Sequence, residues 1–386
     1  MMKSLKNSSI YKKLALKLSS NSDSADSIPS ADSYESEAFV ATKELAAQGN
    51  LAALFDIGLF YHKGIEVGQD YSKAAEWFKK AADQGDSFAQ FNLGLAYDTG
   101  LGVRQDYDKA AEWYTKAADQ GIAQAQSSLG YMYQHGQGVY QDYDKAIDLY
   151  TKAANQGNLA AQHYLGISYK TGKGVYQDYD KALEWLKKAA DQDYSESLFE
   201  IAYSYAYGEG VAQDYTKAAE WYLKAADQGH VASQHNLGNA YRDGNGVQQD
   251  YATALEWYTY AANQGDAKAQ INVGALYYQG QGVQQDYAKA AEWYTKAANQ
   301  GDAQAQFNLG VIYNDGKGVR QDYAKAAEWY MKAANQGDVY AQNNLGHMYA
   351  KGQGVQQDTA AAKEWFGRAC DNGSQEGCDS YRILNQ

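Results

Sequence analysis

The sequence predicts an all-α fold: an α/α superhelical solenoid of nine 36-residue helix-turn-helix repeats with flanking cap helices. Three observations carry this expectation. All eight tryptophans fall on one 36-residue lattice (Trp77, Trp113, Trp185, Trp221, Trp257, Trp293, Trp329 and Trp365), with Leu149 in the single vacant place. A tyrosine column runs from Tyr61 to Tyr349 and an aspartate column from Asp70 to Asp358 without a gap, as does valine from Val67 to Val355. No insertion breaks this phase between residues 50 and 373. Self-similarity at such a period marks stacked supersecondary units, each burying its apolar face only against its neighbours. It replaces the two or three globular domains that 386 residues would otherwise suggest.

Taken in order, residues 1–32 are rich in Ser, Asp and Asn and poor in apolar side chains, which predicts a disordered tail. A leading helix is expected over 33–49, because Gln48 and Gly49 are already in phase with Gln84 and Gly85. Nine repeats fill 50–373, and 374–386 form a C-terminal capping half-repeat. Residues 86–121 illustrate a unit. Ala89, Leu93, Ala96 and Tyr97 recur at helical spacing, predicting a first helix over Ser87–Asp98. Gly100 stops it, and Gly100, Gly102 and Val103 make a tight loop that plugs into the core. Asp106 then caps a second helix, Tyr107–Gln120, a cap whose loss costs about 1 kcal/mol. That helix turns Tyr107, Ala110, Ala111, Tyr114, Ala117 and Ala118 inward, and Gly121 ends it in the left-handed conformation, with Asp193 in that role once.

On the outer face, Glu112 with Lys116, and the equivalent pairs Glu76 with Lys80, Glu184 with Lys188, Glu220 with Lys224, Glu292 with Lys296 and Glu328 with Lys332, have the spacing of helical ion pairs. Mid-helix glycines (Gly94, Gly130, Gly166, Gly238, Gly274, Gly310, Gly346) cost helix stability, so a neighbouring backbone is expected to approach them; Ala202 departs from the column.

The net charge of −13, with basic and acidic residues alternating along the helices, excludes nucleic acid as the expected partner. No apolar stretch approaches the ~20 residues of a membrane span. Lys3, Lys6, Lys12, Lys13 and Lys17 interrupt the opening segment, and no apolar secretory core follows. The expectation is a cytoplasmic protein, or a periplasmic or secreted one if its two cysteines are oxidised.

The run Ala89, Gln90, Leu93, Gly94, Tyr97, Gly100, Gly102, Val103, Asp106, Tyr107, Lys109, Ala110, Glu112, Trp113, Tyr114, Lys116, Ala117 and Ala118 resembles the Sel1-like repeat family, relatives of the tetratricopeptide repeats. The resemblance covers about residues 50–373, with departures at Glu66, which replaces a loop glycine, and across 194–206. It implies an α/α superhelix serving as an adaptor in protein complexes, often in bacteria. The last unit, with Cys370 and Cys378, is similar to the cysteine-rich secreted bacterial members of the family. That likeness implies a disulfide between the second helix of one unit and the next first helix; two buried thiols in a reducing compartment are the alternative.

Chemistry is sparse. Some cysteine-rich relatives have been described as penicillin-binding, but the only Ser-x-x-Lys, Ser9 with Lys12, lies in the tail, where nothing orients a nucleophile. The histidines His62, His135, His163, His230, His235 and His347 lack metal-ligand spacing, and the Gly-x-Gly loops lack a third glycine and follow helices. No catalytic residue, metal or cofactor is expected.

Function is expected where the repeat varies. On the first helices one stripe changes freely and is often apolar: Phe91, Leu95, Tyr131, His163, Ile167, Phe199, Tyr203, His235, Asn239, Phe307, Val311, Asn343 and His347. Such a stripe suits a partner-binding concave groove, where aromatic anchors dominate; the other reading is packing against the adjacent first helix. An asparagine column (Asn92, Asn236, Asn272, Asn308, Asn344) runs beside it, suited to an extended peptide backbone or to packing. Aromatic crowding between Tyr194 and Tyr207 marks Phe199 and Tyr203 as the expected hot spot. The function expected is a non-catalytic scaffold for a protein or peptide; the rivals are an exported inhibitor, immunity-type or host-interaction protein and a penicillin-binding enzyme. Oligomeric state is not fixed by these patterns.

Overall fold

The computed structural model describes residues 36–385, so the predicted tail, with Ser9 and Lys12, lies outside the described residues. The described residues form twenty α-helices and no strand: α1 (Glu37–Ala47), α2 (Leu51–Lys63), α3 (Tyr71–Ala82), α4 (Ser87–Thr99), α5 (Tyr107–Asp119), α6 (Ala123–His135), α7 (Tyr143–Asn155), α8 (Leu159–Thr171), α9 (Tyr179–Ala190), α10 (Ser195–Tyr207), α11 (Tyr215–Asp227), α12 (Val231–Asp243), α13 (Tyr251–Asn263), α14 (Ala267–Gln279), α15 (Tyr287–Asn299), α16 (Ala303–Asp315), α17 (Tyr323–Asn335), α18 (Val339–Lys351), α19 (Thr359–Asp371) and α20 (Gln375–Ile383). From α2 to α19, even-numbered helices are the first and odd-numbered ones the second of each repeat. The chain divides into two compact units after Trp185. Inside each, a helix packs against its hairpin partner and against the next hairpin.

The gapless columns are bonded to each other. The amide of each cap aspartate donates to the carbonyl of the tyrosine nine residues earlier, as from Asp106 to Tyr97 and from Asp250 to Tyr241, both at 2.9 Å. This closes the loop on the first helix. The same aspartate's carboxylate accepts from the amide three residues on, Asp106 from Lys109 at 3.1 Å. The amide bond, more than the nearby ammonium, holds the Asp70, Asp142, Asp178 and Asp214 carboxyls below their usual range. Val139, Val247, Val319 and Val355 pack their loops onto the core.

The tryptophan lattice reads as a between-repeat contact. Trp113 packs on the core that contains Ala89 and Leu93, and Trp257 on the one containing Ala218 and Leu237. Leu149, in the vacant lattice place, packs on the preceding core of Tyr114 and Leu129. A glutamine pair locks the junctions. The Gln90 side chain donates to the Ala82 carbonyl, and Gln120 donates to both Gln90, at 2.8 Å, and the Gly85 carbonyl, at 3.0 Å. Gln234 with Gln264 and Gln306 with Gln336 repeat the arrangement.

Three expectations are corrected. Gly94, Gly238, Gly274, Gly310 and Gly346 face an aromatic ring, not a backbone: a Cβ on Gly94 would lie 2.7 Å from Tyr114 Cδ1, and one on Gly274 would lie 2.7 Å from Tyr294 Cε1. A flat ring fills the notch more fully than a second helix backbone, and Tyr114 is fully buried. The outer lysines turn onto tryptophan faces in place of the expected glutamates. Lys80, Lys116, Lys224, Lys296 and Lys332 sit 3.6 to 4.3 Å from the ring centres of Trp77, Trp113, Trp221, Trp293 and Trp329. Positions three and four residues before each lysine both lie on its helix face, and a cation over an indole is worth about 0.5–1 kcal/mol at an exposed site. Tyr107 is partly exposed, its hydroxyl accepting from Gln105, and is not a core residue.

Two departures noted in the sequence keep the repeat's backbone regardless. Glu66 has φ 67° and Asp193 φ 61°, the only non-glycine residues described in the left-handed region. Neighbouring repeats impose the geometry on side chains that disfavour it. Glu66→Gly is therefore expected to raise the urea midpoint by about 1 kcal/mol equivalent, and Gly94→Ala to lower stability by about 1–3 kcal/mol through overpacking on Tyr114. Denaturation followed by circular dichroism checks both; a neutral Gly94→Ala would contradict the ring-seat assignment.

Candidate partner-binding face

The first helices carry the variable stripe because their other side is fixed by the ring seats. Its members land in three kinds of place. Phe91 lies over Tyr114, ring centres 5.8 Å apart, and with Leu95 packs half-buried onto the core of α5 and α6. Phe307 lies 5.9 Å from both Tyr330 and Tyr340, with Val311 in the same cluster. Tyr131 stacks on His135 at 4.0 Å and approaches Tyr164 at 5.6 Å, and His163 meets Tyr164 edge-on; Ile167 is half-buried beside them. These stripe residues are half-buried, each with one side packed on the core.

Other members are held by polar contacts. Asn239 accepts from the Tyr258 hydroxyl at 2.7 Å. His235 lies edge-on to Tyr258, with Nδ1 3.3 Å from the Asp266 carboxylate and Nε2 3.3 Å from Asn272. Asn343 is the exception to the expected surface: it is buried, donating to Ser374 Oγ at 2.7 Å under the terminal helix α20. His347 Nε2, on the same side, lies 3.1 Å from Glu376 of α20, with its ring on Phe366. The asparagine column is also engaged internally: Asn92 donates to the Phe88 carbonyl at 2.8 Å and Asn272 lies 3.3 Å from His235 Nε2.

The aromatic crowd in α10 is a ladder. Phe199 is 5.0 Å from His230, 5.9 Å from Tyr222 and 6.1 Å from Tyr203, which stacks on Tyr207 at 4.3 Å. Tyr207 is 61 % exposed. His230 caps α12, accepting from the Ser233 amide, and burial lowers its pKa while Glu196 and Glu200 oppose that. Beside the ladder a crevice of about 290 Å³ opens between α10 and α12, floored by Ala218, Ala219 and Tyr222 of α11. Asn236, Asn239, Asp243 and Asn245 supply its polar wall. Sequence columns did not single out Asp243 and Asn245; the residue following each loop's left-handed glycine, lysine in some repeats and asparagine here, was the signal available.

At the C-terminal end a disulfide joins Cys370 of α19 to Cys378 of α20, with Cα atoms 4.5 Å apart. It ties down the helix that covers Asn343 and His347. Among the described residues no group of His, Cys, Asp and Glu is arranged to hold a metal ion, and no helix is long and apolar enough to cross a membrane.

A family model described as Sel1 repeat matches residues 51–86, 87–122, 123–158, 159–194, 195–230, 231–266, 267–302, 303–338 and 339–374. Among solved structures, c5321, a protective antigen of uropathogenic Escherichia coli strains with an SLR fold, is 35 % identical over 90 % of this chain and 82 % of its own, with a TM-score of 0.59. A Sel1 repeat protein from Oxalobacter formigenes is 35 % identical over 64 % of this chain and 99 % of its own, with a TM-score of 0.57. No curated protein matches the chain.

The asparagine column has one acidic member. Asp56 of α2 occupies the place of Asn92, half-buried, and burial together with the Asp86 carboxylate raises its pKa to about 6. The folded state thus holds this proton more tightly than the unfolded chain. The associated stability is complete below about pH 4 and disappears as pH rises through about 6. Asp56→Asn is expected to remove that dependence and to stabilise the protein at pH 7 by about 1 kcal/mol, allowing for partial exposure. Urea titrations at pH 4.5 and 7 test this, and an equal effect at both pH values would contradict it.

Proposed function

Because the chain belongs to the Sel1 repeat family, we propose that it is a non-catalytic scaffold that holds a protein or peptide on the first-helix face, anchored at α10. The observation that carries this reading is the ladder Phe199, Tyr203 and Tyr207, whose outer ring is exposed beside an open crevice. Large aromatic surface with fixed rotamers is what dominates binding energy in protein interfaces, and it is disfavoured on a surface meeting only water. The surrounding stripe residues Phe91, Leu95, Tyr131, His163, Ile167, His235, Asn239, Phe307 and Val311 would supply complementary contacts, and His347 would do so next to the disulfide-tied cap. Sel1 repeats generally serve protein interaction, and that general role supports the scaffold reading.

A second reading, that the scaffold works outside the cytoplasm as an inhibitor, immunity-type or host-contact protein, is favoured by the Cys370–Cys378 disulfide. Disulfides persist in oxidising compartments. The similar c5321 is a protective antigen, which agrees with exposure to a host.

Phe199→Ala combined with Tyr203→Ala is expected to abolish capture of the partner identified by affinity purification and mass spectrometry, with helicity unchanged. Undiminished capture of that partner would refute the placement. Thiol trapping in the native cell addresses the second reading: protected Cys370 and Cys378 are expected for export, and rapid alkylation of both would exclude it.

A further inference from the structure

The chain fills one of its own crevices, and in doing so shows what such a crevice recognises. At the level of α14 to α16, Lys317 follows the left-handed Gly316 and turns back between successive first helices. Its ammonium donates to the Tyr278 hydroxyl at 2.9 Å and pairs with the Asp315 carboxylate at 3.1 Å. It lies 5.3 Å from the Tyr278 ring centre and 5.9 Å from that of Tyr287. A hydroxyl acceptor at the edge of Tyr278, the Asp315 carboxylate and the ring of Tyr287 make a cage for a primary ammonium. These partners also hold Lys317 charged, Tyr278 first and Asp315 second.

Two repeats earlier the same framework recurs without its lysine. Asp243 stands in the place of Asp315, Tyr215 in that of Tyr287, and Tyr222 in that of Tyr294, but Asn245 replaces Lys317. Ala206 replaces Tyr278, and the neighbouring Tyr207 supplies a ring to the wall. What remains is the open crevice of about 290 Å³. That volume is at the small end of ligand pockets, suited to one side chain and too small for a large metabolite. Asp243 is the charged residue of the crevice's lining. Arg242 bonds it at 2.7 and 2.8 Å, so an incoming cation would share that carboxylate. The equivalent crevice in the first unit, lined by His62, Phe78, Leu95, Thr99 and Leu101, has no carboxylate in its lining and serves as a control.

We propose that the crevice between α10, α11 and α12 receives a lysine side chain of the protein partner, with its ammonium at Asp243 between the Tyr207 and Tyr215 rings. The source of that lysine rests on the scaffold reading; the cage itself does not.

The test is a resonance-by-resonance titration of the isotope-labelled full chain with N-acetyl-lysine-N′-methylamide and, separately, its norleucine counterpart. The lysine probe is expected to shift Tyr207, Asp243 and Asn245, and the norleucine probe to leave them in place. Asn245→Lys places a lysine two residues after Asp243, as Lys317 stands to Asp315, so it competes for that carboxylate from within although Ala206 offers it no hydroxyl. It is expected to weaken the lysine response by about tenfold or more. Equal responses to the two probes, or an undiminished response in Asn245→Lys, would overturn the cage. With the identified partner in hand, Asn245→Lys is expected to weaken its binding by about tenfold. Unchanged partner affinity overturns the cage assignment and leaves the scaffold reading standing. If no partner is captured by the parent chain, the scaffold reading fails and the probe titration alone decides the cage.

Discussion

The seating of one aromatic ring on one helical glycine is the constraint from which the rest of most repeats follows. Tyr114 on Gly94, Tyr258 on Gly238 and Tyr330 on Gly310 bring the two helices of a hairpin closer than any side chain at the glycine would permit. The rings reach full or nearly full burial, and alanines such as Ala110 and Ala117 pack around them. The glycine costs helix propensity, and the buried ring more than offsets it. Because the ring comes from the second helix and the notch from the first, the loop between them must have one length and one path. The bond from the Asp106 amide to the Tyr97 carbonyl fixes that path, and its counterparts recur down both columns.

With the hairpin fixed internally, repeats are joined by different means. Tryptophans reach onto the preceding core, and the paired glutamines satisfy the carbonyls left at the ends of second helices. Buried amides of this kind set register more sharply than apolar contact does where they are bonded; Gln162 is the departure, its Oε1 unpartnered while Gln192 turns to the Lys188 carbonyl. The left-handed conformations of Glu66 and Asp193 show the strength of that register. Where the local residue and the stacking disagree, the stacking prevails.

These levels differ in how far the sequence discloses them. Helix ends were legible because a cap acts over three residues: Asp106 bonds the amide of Lys109, and Gly100 with Gly121 turns left-handed where the pattern stops. The repeat itself was legible from its period. Partners at a distance were not. A glycine column announces a close approach without saying whether backbone or ring approaches, and a lysine with both a glutamate and a tryptophan in reach does not disclose which it covers. The candidate face was legible as a stripe, since Phe199 and Tyr203 do join one ladder. Asn343 was not separable from it, because its cover, Ser374 with α20, comes from beyond the last repeat. The crevice beside Tyr207 was least legible of all: it is defined by a side chain too short to fill it, and columns record what is present.

That asymmetry bears on how a repeat protein acquires specificity. The caps occupy an invariant column and the ring seats and glutamine pairs nearly invariant ones, so change is freest where a side chain faces the gap between successive first helices. A lysine at that loop position, as at Lys317, closes the gap with the chain's own cation. At Asn245 and Ala206, shorter side chains stand where Lys317 and Tyr278 do, and Tyr207, Tyr215 and Asp243 line an open crevice. Shortening those two side chains alters no ring seat and no loop bond, so a crevice can open at almost no cost to the fold. The framework that makes the repeats uniform is therefore what allows one of them to differ.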